Sequence, residues 1–315
     1  MAKFFVKRIL TAVVQIFVVT TIVFFALQMM PGDPVLMMLS RDGSAVNQEA
    51  YDALEAELGL DQPVMTQYFD WITDLLHGDL GQSYSEKRPV VEAIQDRLPR
   101  TLELAAAAMV LACVIGIPLG IISAVRRGGF VDLGLTLLSS LGNSVPVFVM
   151  GYLLVLIFAL TLGVLPSSGY VPVARGMTKH LLRLVLPAVA LAFGVASSIL
   201  RMTRSSMLES LGSESVRPLR AKGLSKRKVY LKHVMRNMLI PVVTIIGLQL
   251  GNLIAGTVLC EAVFNWPGIA TLLVNAIGDR DYPLIQGCML ILSAIFILTN
   301  MVVDMLYGML DPRAR

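Results

Sequence analysis

The sequence predicts an all-α membrane protein with six transmembrane helices, and three observations carry that expectation. The 315-residue chain is 56% hydrophobic and only 15% charged, with a mean hydropathy of +0.72, whereas a soluble domain needs more charge to keep its surface wet. Six apolar segments reach roughly the 20 residues that a helix needs to cross about 30 Å of hydrocarbon. The basic residues are also shared very unequally among the loops between those segments.

The segments are Ile9–Met30, Leu102–Ala124, Pro146–Gly163, Leu182–Met202, Leu239–Leu259 and Leu284–Tyr307. Lys3, Lys7 and Arg8 precede the first. That run is too long for a secretory core and lacks a small-residue cleavage site, so it reads as a retained span. Asp132–Ser144 is also apolar but reads as a lead-in helix at the membrane surface, broken near Pro146. With the N-terminus inside, the cytoplasmic segments hold 17 of the 26 basic residues and five of the 22 acidic ones. The positive-inside rule then puts both termini in the cytoplasm. A formal charge of +4 and an isoelectric point near 9.0 accordingly read as topology signals, and no nucleic-acid partner is expected.

Three regions follow: an N-terminal transmembrane helix (1–30), an external cap (31–100) and a core transmembrane domain (101–315) with a cytoplasmic loop at about 203–237. The cap holds 13 acids against 5 bases. Pro63 opens a helix there, Val64, Tyr68, Trp71, Ile72 and Leu75 share one face, and Gly78 closes it. A second helix begins near Pro89, with Val90, Ile94 and Leu98 four apart. The pattern predicts a folded cap whose acidity serves either a solvated face or a docking surface.

Gly223 interrupts the cytoplasmic loop, and Ser225 suits the N-cap of a following helix whose sides are apolar and basic. Two short helices bent around a glycine would make a knob suited to a groove on a soluble partner; a basic anchor on anionic headgroups is the plainer reading. Cys113, Cys260 and Cys288 form no C-x-x-C pair, and His77, His180 and His233 show no ligand spacing, so no metal site is signalled. No G-x-x-x-x-G-K-[ST] occurs, so no phosphate-binding loop is expected; the chain is read as a non-enzyme with no cofactor of its own.

The order of residues decides between the two readings of the loop. Arg220, Ala221, Lys222, Gly223 and Leu224, then Arg236 and Asn237, Ile240 and Pro241, resemble the long form of the EAA loop. That loop belongs to permease subunits of binding-protein-dependent ABC importers in the dipeptide, oligopeptide and nickel group. The likeness continues in Pro31 to Pro34, Arg97 to Pro99, Thr101 and Leu102, Phe264 to Gly268, Arg280 to Pro283, Gln286 and Gly287, and Asp311 to Arg313. Pro218 and Leu219 depart from it, standing where the family has Thr and Ala. The resemblance implies a type I importer fold in the bacterial cytoplasmic membrane. It implies a heterodimer with a second homologous permease, two ATP-binding subunits that use ATP and Mg, and an extracytoplasmic solute-binding protein. It also implies that Arg217, Arg220, Ala221, Lys222, Gly223 and Leu224 contact the ATPase. The cargo would be di- or oligopeptides, with nickel chelate, glutathione or opine as alternatives.

In span five, Gly247, Gly251 and Ala255 form a small-residue stripe suited to helix packing, while Gln249, Asn252 and Gly256 lie on another stripe. Polar groups in a bilayer face a watery path or a partner helix, and both readings stand. Asn300 and Asp304 share a face near the inner end of span six, where a structural role is expected. Phe264, Trp266, Pro267 and Gly268 follow span five: Trp266 is either an interfacial anchor or, as the resemblance implies, part of the outer mouth, with Pro267 and Gly268 turning the chain into a short helix. An ion-coupled secondary transporter would show repeats and midplane charges, and a membrane enzyme clustered catalytic residues; the sequence displays neither.

Overall fold

The computed structural model describes residues 2–41, 47–212 and 234–310, which are mostly helical with no strand among them. In chain order the helices are α1 (Ala2–Gln28), α2 (Pro34–Arg41), α3 (Gln48–Glu57), α4 (Val64–Leu76), α5 (Val90–Val125), α6 (Phe130–Ser144), α7 (Val147–Leu154), α8 (Met177–Gly212), α9 (Met235–Phe264), α10 (Ile269–Asp279) and α11 (Tyr282–Leu310). Five contain a stretch long and apolar enough to cross a membrane. A sixth candidate is α6 plus α7, extended by a π-helical segment Val155–Thr161 and bent by 109° at the break. The bend falls at Val145 and Pro146. Both residues are extended, and Pro146 leads into α7 with φ −60° and ψ 147°.

Two compact units emerge, one drawn from Leu102–Trp266 and Thr299–Arg315, the other from Ala2–Thr101 and Pro267–Leu298. In the first, α5, α8 and α9 surround a core that includes Leu104, Leu191, Ile199, Leu253 and Phe264. Helices α5 and α8 approach closely because Gly116 and Gly120 carry no side chain. A Cβ at Gly120 would sit 2.7 Å from the Leu200 carbonyl oxygen and 2.6 Å from Thr203 Cβ. These two glycines, four apart, are a small-residue contact of the kind that drives helix association in lipid.

In the second unit α4 lies on α1. Tyr68 is buried, its ring 5.2 Å from Phe24 and 5.3 Å from Phe25, and its hydroxyl lies 2.9 Å from Thr21 Oγ1. Pro63 and Gly78 bound this helix as the sequence predicts, Gly78 having a φ of +83°. The Pro31-to-Pro34 turn owes its form to Asp33, whose Oδ1 accepts Val35 N–H at 2.8 Å and whose Oδ2 accepts the Tyr51 hydroxyl from α3 at 2.6 Å. That hydrogen bond stabilises the neutral phenol and holds the pKa of Tyr51 up at about 12.

One expectation changes. The helix predicted from Pro89 and the span predicted from Leu102 are one helix, α5, running through Pro99. Proline removes one helical N–H and crowds the carbonyl four residues earlier, but a helix fixed on both sides of it tolerates that defect. Flanking burial supplies the fixing, since Val90, Ala93, Leu104 and Ala108 are all 0% exposed.

Candidate functional site

The predicted ATPase-contacting residues Arg217, Arg220, Ala221, Lys222, Gly223 and Leu224 lie outside the described residues. What leads into and out of them is described. Helix α8 ends at Gly212 with Met207 buried, and α9 begins at Met235, its buried Met238 and Val242 joining Met207, Val234 and Ala124 in one apolar cluster. Beside that cluster is an ionic clamp. Arg204 on α8 donates from Nε to Asp132 Oδ1 at 2.7 Å and from Nη2 to Oδ2 at 2.8 Å. Ser123 on α5 donates to Oδ1 at 2.5 Å, and Gly128 N–H donates to Oδ2 at 2.9 Å. Asp132 is 5% exposed. A carboxylate this buried needs its lone pairs filled, and the fork of an arginine fills two of them in a fixed plane. The clamp therefore joins the ends of α5, α6 and α8 where the chain enters the loop.

The proposed path residues are all on α9. Asn252 Nδ2 donates to Gln249 Oε1 at 2.9 Å, so two of them form one amide pair; Asn252 is exposed, and Gln249 and Gly256 are half-buried. A Cβ at Gly256 would lie 3.5 Å from Leu191 Cδ2, an ordinary contact. On the other stripe, a Cβ at Gly247 would lie 2.5 Å from a Val303 methyl and Gly251 is buried, so both pack; Ala255 is exposed and does not.

Of the mouth residues, Phe264 and Trp266 belong to the first unit and are 2% and 0% exposed. The chain turns at Asn265, whose φ of +47° ends α9 in the left-handed region. Trp266 N–H donates to Glu261 O at 2.8 Å, and its ring meets Tyr170 edge-on at 4.8 Å. Tyr170 in turn meets buried His180 edge-on at 5.7 Å. His180 Nδ1 lies 2.7 Å from the Val171 carbonyl oxygen, which only accepts, so that nitrogen carries a proton; Nε2 lies 2.6 Å from Glu103 Oε1. Trp266 is therefore a core residue and not an interfacial anchor. Pro267 and Gly268 belong to the second unit, where Gly268 leads into the short apolar helix α10. Arg100 donates to Pro267 O at 3.3 Å, and Thr101 Oγ1 accepts Ile269 N–H at 2.9 Å.

A second buried carboxylate escaped sequence reasoning. Asp281, 0% exposed, accepts through Oδ2 from the Ser83 hydroxyl at 2.6 Å, the Ser85 hydroxyl at 2.7 Å and Ser85 N–H at 2.8 Å. It pins the turn around Ser83, where Gln82 and Pro89 form an isolated antiparallel bridge, to the start of α11. Burial first, then the charge of Asp281, pushes the phenol of nearby Tyr84 above its ordinary pKa. Among the described residues no three His, Cys, Asp or Glu side chains gather as metal ligands.

Comparison with known proteins adds the family. Residues 116–315 match the model described as "Binding-protein-dependent transport system inner membrane component", and residues 1–105 match "Binding-prot-dependent transport system membrane comp, N-term". The chain belongs to this family of inner-membrane transport components. It is a multi-pass inner-membrane protein. Among its relatives, the dipeptide transport system permease protein DppB of Escherichia coli is 39% identical over 335 residues, covering 99% of this chain and 98% of that one. A putative peptide permease protein of Brucella suis is 40% identical over 318 residues, covering 100% and 99%. A probable peptide ABC transporter permease of Sinorhizobium fredii is 36% identical over 315 residues, covering 100% of both. A chain of the inward-facing MetNI methionine ABC transporter superposes with a TM-score of 0.56 at 18% identity, over 70% of this chain and 96% of that chain, which shows a shared fold.

Proposed function

We propose that this inner-membrane component is the permease subunit of an ATP-driven importer of dipeptides or oligopeptides. The observation that carries this is identity of 39% to a dipeptide permease along nearly the whole of both chains. In this reading the termini are cytoplasmic and residues 31–100 form the external cap. The chain pairs with a second homologous permease, two ATP-binding subunits engage the cytoplasmic face, and a solute-binding protein delivers cargo to the other. ATP and Mg act in the partner subunits; the permease itself has no catalytic or cofactor site.

Arg217, Arg220, Ala221, Lys222, Gly223 and Leu224 take up the motion of the ATPases. The Asp132–Arg204 clamp supports the role, because a loop that transmits force needs a base that does not deform. Gln249, Asn252 and Gly256 line the path, and Phe264, Trp266, Pro267 and Gly268 stand at the outer mouth. Alternating access then follows from rocking of packed helices between two arrangements.

Gly223→Arg tests the coupling role. With the partner subunits in proteoliposomes, the variant inserts normally but loses ATP-driven uptake. Normal uptake removes the loop from the mechanism. Uphill uptake by the chain alone on an ion gradient overturns the whole reading. Affinity of the accompanying binding protein for peptides, nickel chelates, glutathione and opines decides the cargo.

A further inference from the structure

Within the second unit a cleft of about 240 Å³ lies where the end of α1, helix α4, the turn around Leu80 and the start of α11 meet. Its chemistry is one-sided. Asp70, Asp74 and Asp79 line it, and among the described residues no lysine, arginine or histidine does. Asp70 and Asp74 are one turn apart on α4, so their carboxylates share a face. The rings of Phe24, Trp71 and Tyr84 supply the apolar part of the wall.

The observation that points to a ligand is Gln286. The residue is only 7% exposed, lines the cleft, and its side chain makes no hydrogen bond to any described residue. Its amide has no protein partner among the described residues, so a group bound in the cleft can take a hydrogen bond from it or give one to it in place of water.

The geometry points to a site for a primary ammonium group. Such a group carries one positive charge and three N–H donors and has no acceptor. The carboxylates take the charge, the Gln286 oxygen takes a donor, and indole and phenol rings attract a cation within reach of their faces. The volume is below the roughly 300–1,000 Å³ of pockets that enclose a whole drug-sized molecule. The cleft therefore fits the end of a molecule: a charged amine and the short chain that carries it. Two sources present that end at a membrane protein, the amino terminus of a small peptide and the ethanolamine headgroup of a phospholipid. The assignment does not rest on peptide import, because occupancy is read without transport.

The test uses the full-length purified chain in phosphatidylglycerol nanodiscs, with Trp71 fluorescence as the signal. The chain has two tryptophans, so Trp71→Phe supplies the blank. Dialanine is titrated against N-acetyl-dialanine, which has the same size and no ammonium. In a second arm, part of the lipid is replaced by phosphatidylethanolamine or by its N-acetylated form. A saturable change with dialanine but not its acetylated form identifies the soluble amine. A change only with the amine-bearing lipid identifies the headgroup. In either case Asp70→Asn or Asp74→Asn weakens the response by about tenfold, Gln286→Leu weakens it as well, and Glu49→Gln, elsewhere on the same acidic segment, leaves it unchanged. The proposal is overturned if neither amine gives a signal, if acetylation makes no difference, or if Glu49→Gln weakens the response as much as Asp70→Asn.

Discussion

Asp132 and Asp281 are both nearly out of reach of water, one in each unit, and they are satisfied by opposite means. Asp132 faces a guanidinium, with one hydroxyl and one backbone N–H completing its shell. Asp281 takes its donors from two serine hydroxyls and from backbone N–H groups of Ser85 and Leu284. The first arrangement binds three helices through side chains that can be exchanged as a set. The second holds a turn through the backbone itself, so no single substitution elsewhere can replace it. An ion pair thus ties the helices that lead into the predicted coupling loop, and a neutral cradle shapes the turn beside the cleft.

That contrast can be broken experimentally. The largest effect is expected from Arg204→Ala, which strands the Asp132 charge. Removing one partner of a buried pair costs 3–5 kcal/mol, and because Arg204 is 29% exposed the lower end, about 3 kcal/mol, is expected in the thermal midpoint of purified protein. Combining it as Arg204→Met with Asp132→Leu should restore most of that stability, since an apolar pair of similar volume replaces an ion pair at little cost. If the double variant remains as unstable as Arg204→Ala, the clamp is not the interaction that matters.

Asp281→Ala comes next, at about 2–3 kcal/mol, because it leaves several buried donors without an acceptor. Here no double variant should rescue, and recovery by Ser83→Ala with Ser85→Ala would contradict the backbone's share in the cradle.

Glycine contacts sharpen the same contrast at about 1–3 kcal/mol. Gly120→Ala meets the Leu200 backbone carbonyl, which cannot be trimmed. Gly287→Ala meets a Val90 methyl at 2.5 Å, so Val90→Ala should relieve it, and equal relief of both variants by side-chain trimming would refute the distinction.

The smallest effect concerns Tyr84. Its folded pKa lies above the unfolded value, so its contribution to stability is complete below about pH 10 and is lost as the pH rises beyond that. Absorbance of tyrosinate should show Tyr84 among the phenols that titrate late, beside Tyr51. Asp281→Asn should lower its pKa only part of the way, because burial is the larger cause.

These features divide by how far apart in the chain their parts lie. Helix α4 was legible because its proline start, its four-residue apolar spacing and its glycine stop are all local. The break before α7 was legible for the same reason, whereas the short helix after Gly268 stood as one of two readings, favoured only by the family resemblance. Continuity of α5 through Pro99 was not, because local rules read proline as a beginning and only burial on both sides overrides them. Asp132 and Arg204 are 72 residues apart, and Asp281 and Ser83 are 198 apart. No periodicity links such pairs. Trp266 was open between two surroundings until Tyr170 and His180 were seen against it, and Gln286 carried no sign in the sequence that its amide would lack a partner.

Helix α8 is 36 residues long, about 54 Å at 1.5 Å per residue, against about 30 Å of hydrocarbon. His180 stands in its first turn and Arg204 near its last, about 36 Å apart along one axis. The aromatic nest around Trp266 and the ionic clamp at Asp132 are therefore threaded on the same rod. Pro187 lies between them and removes one rung of the hydrogen-bond ladder, so a tilt imposed at either terminus reaches the other through that one joint and the packing that holds it.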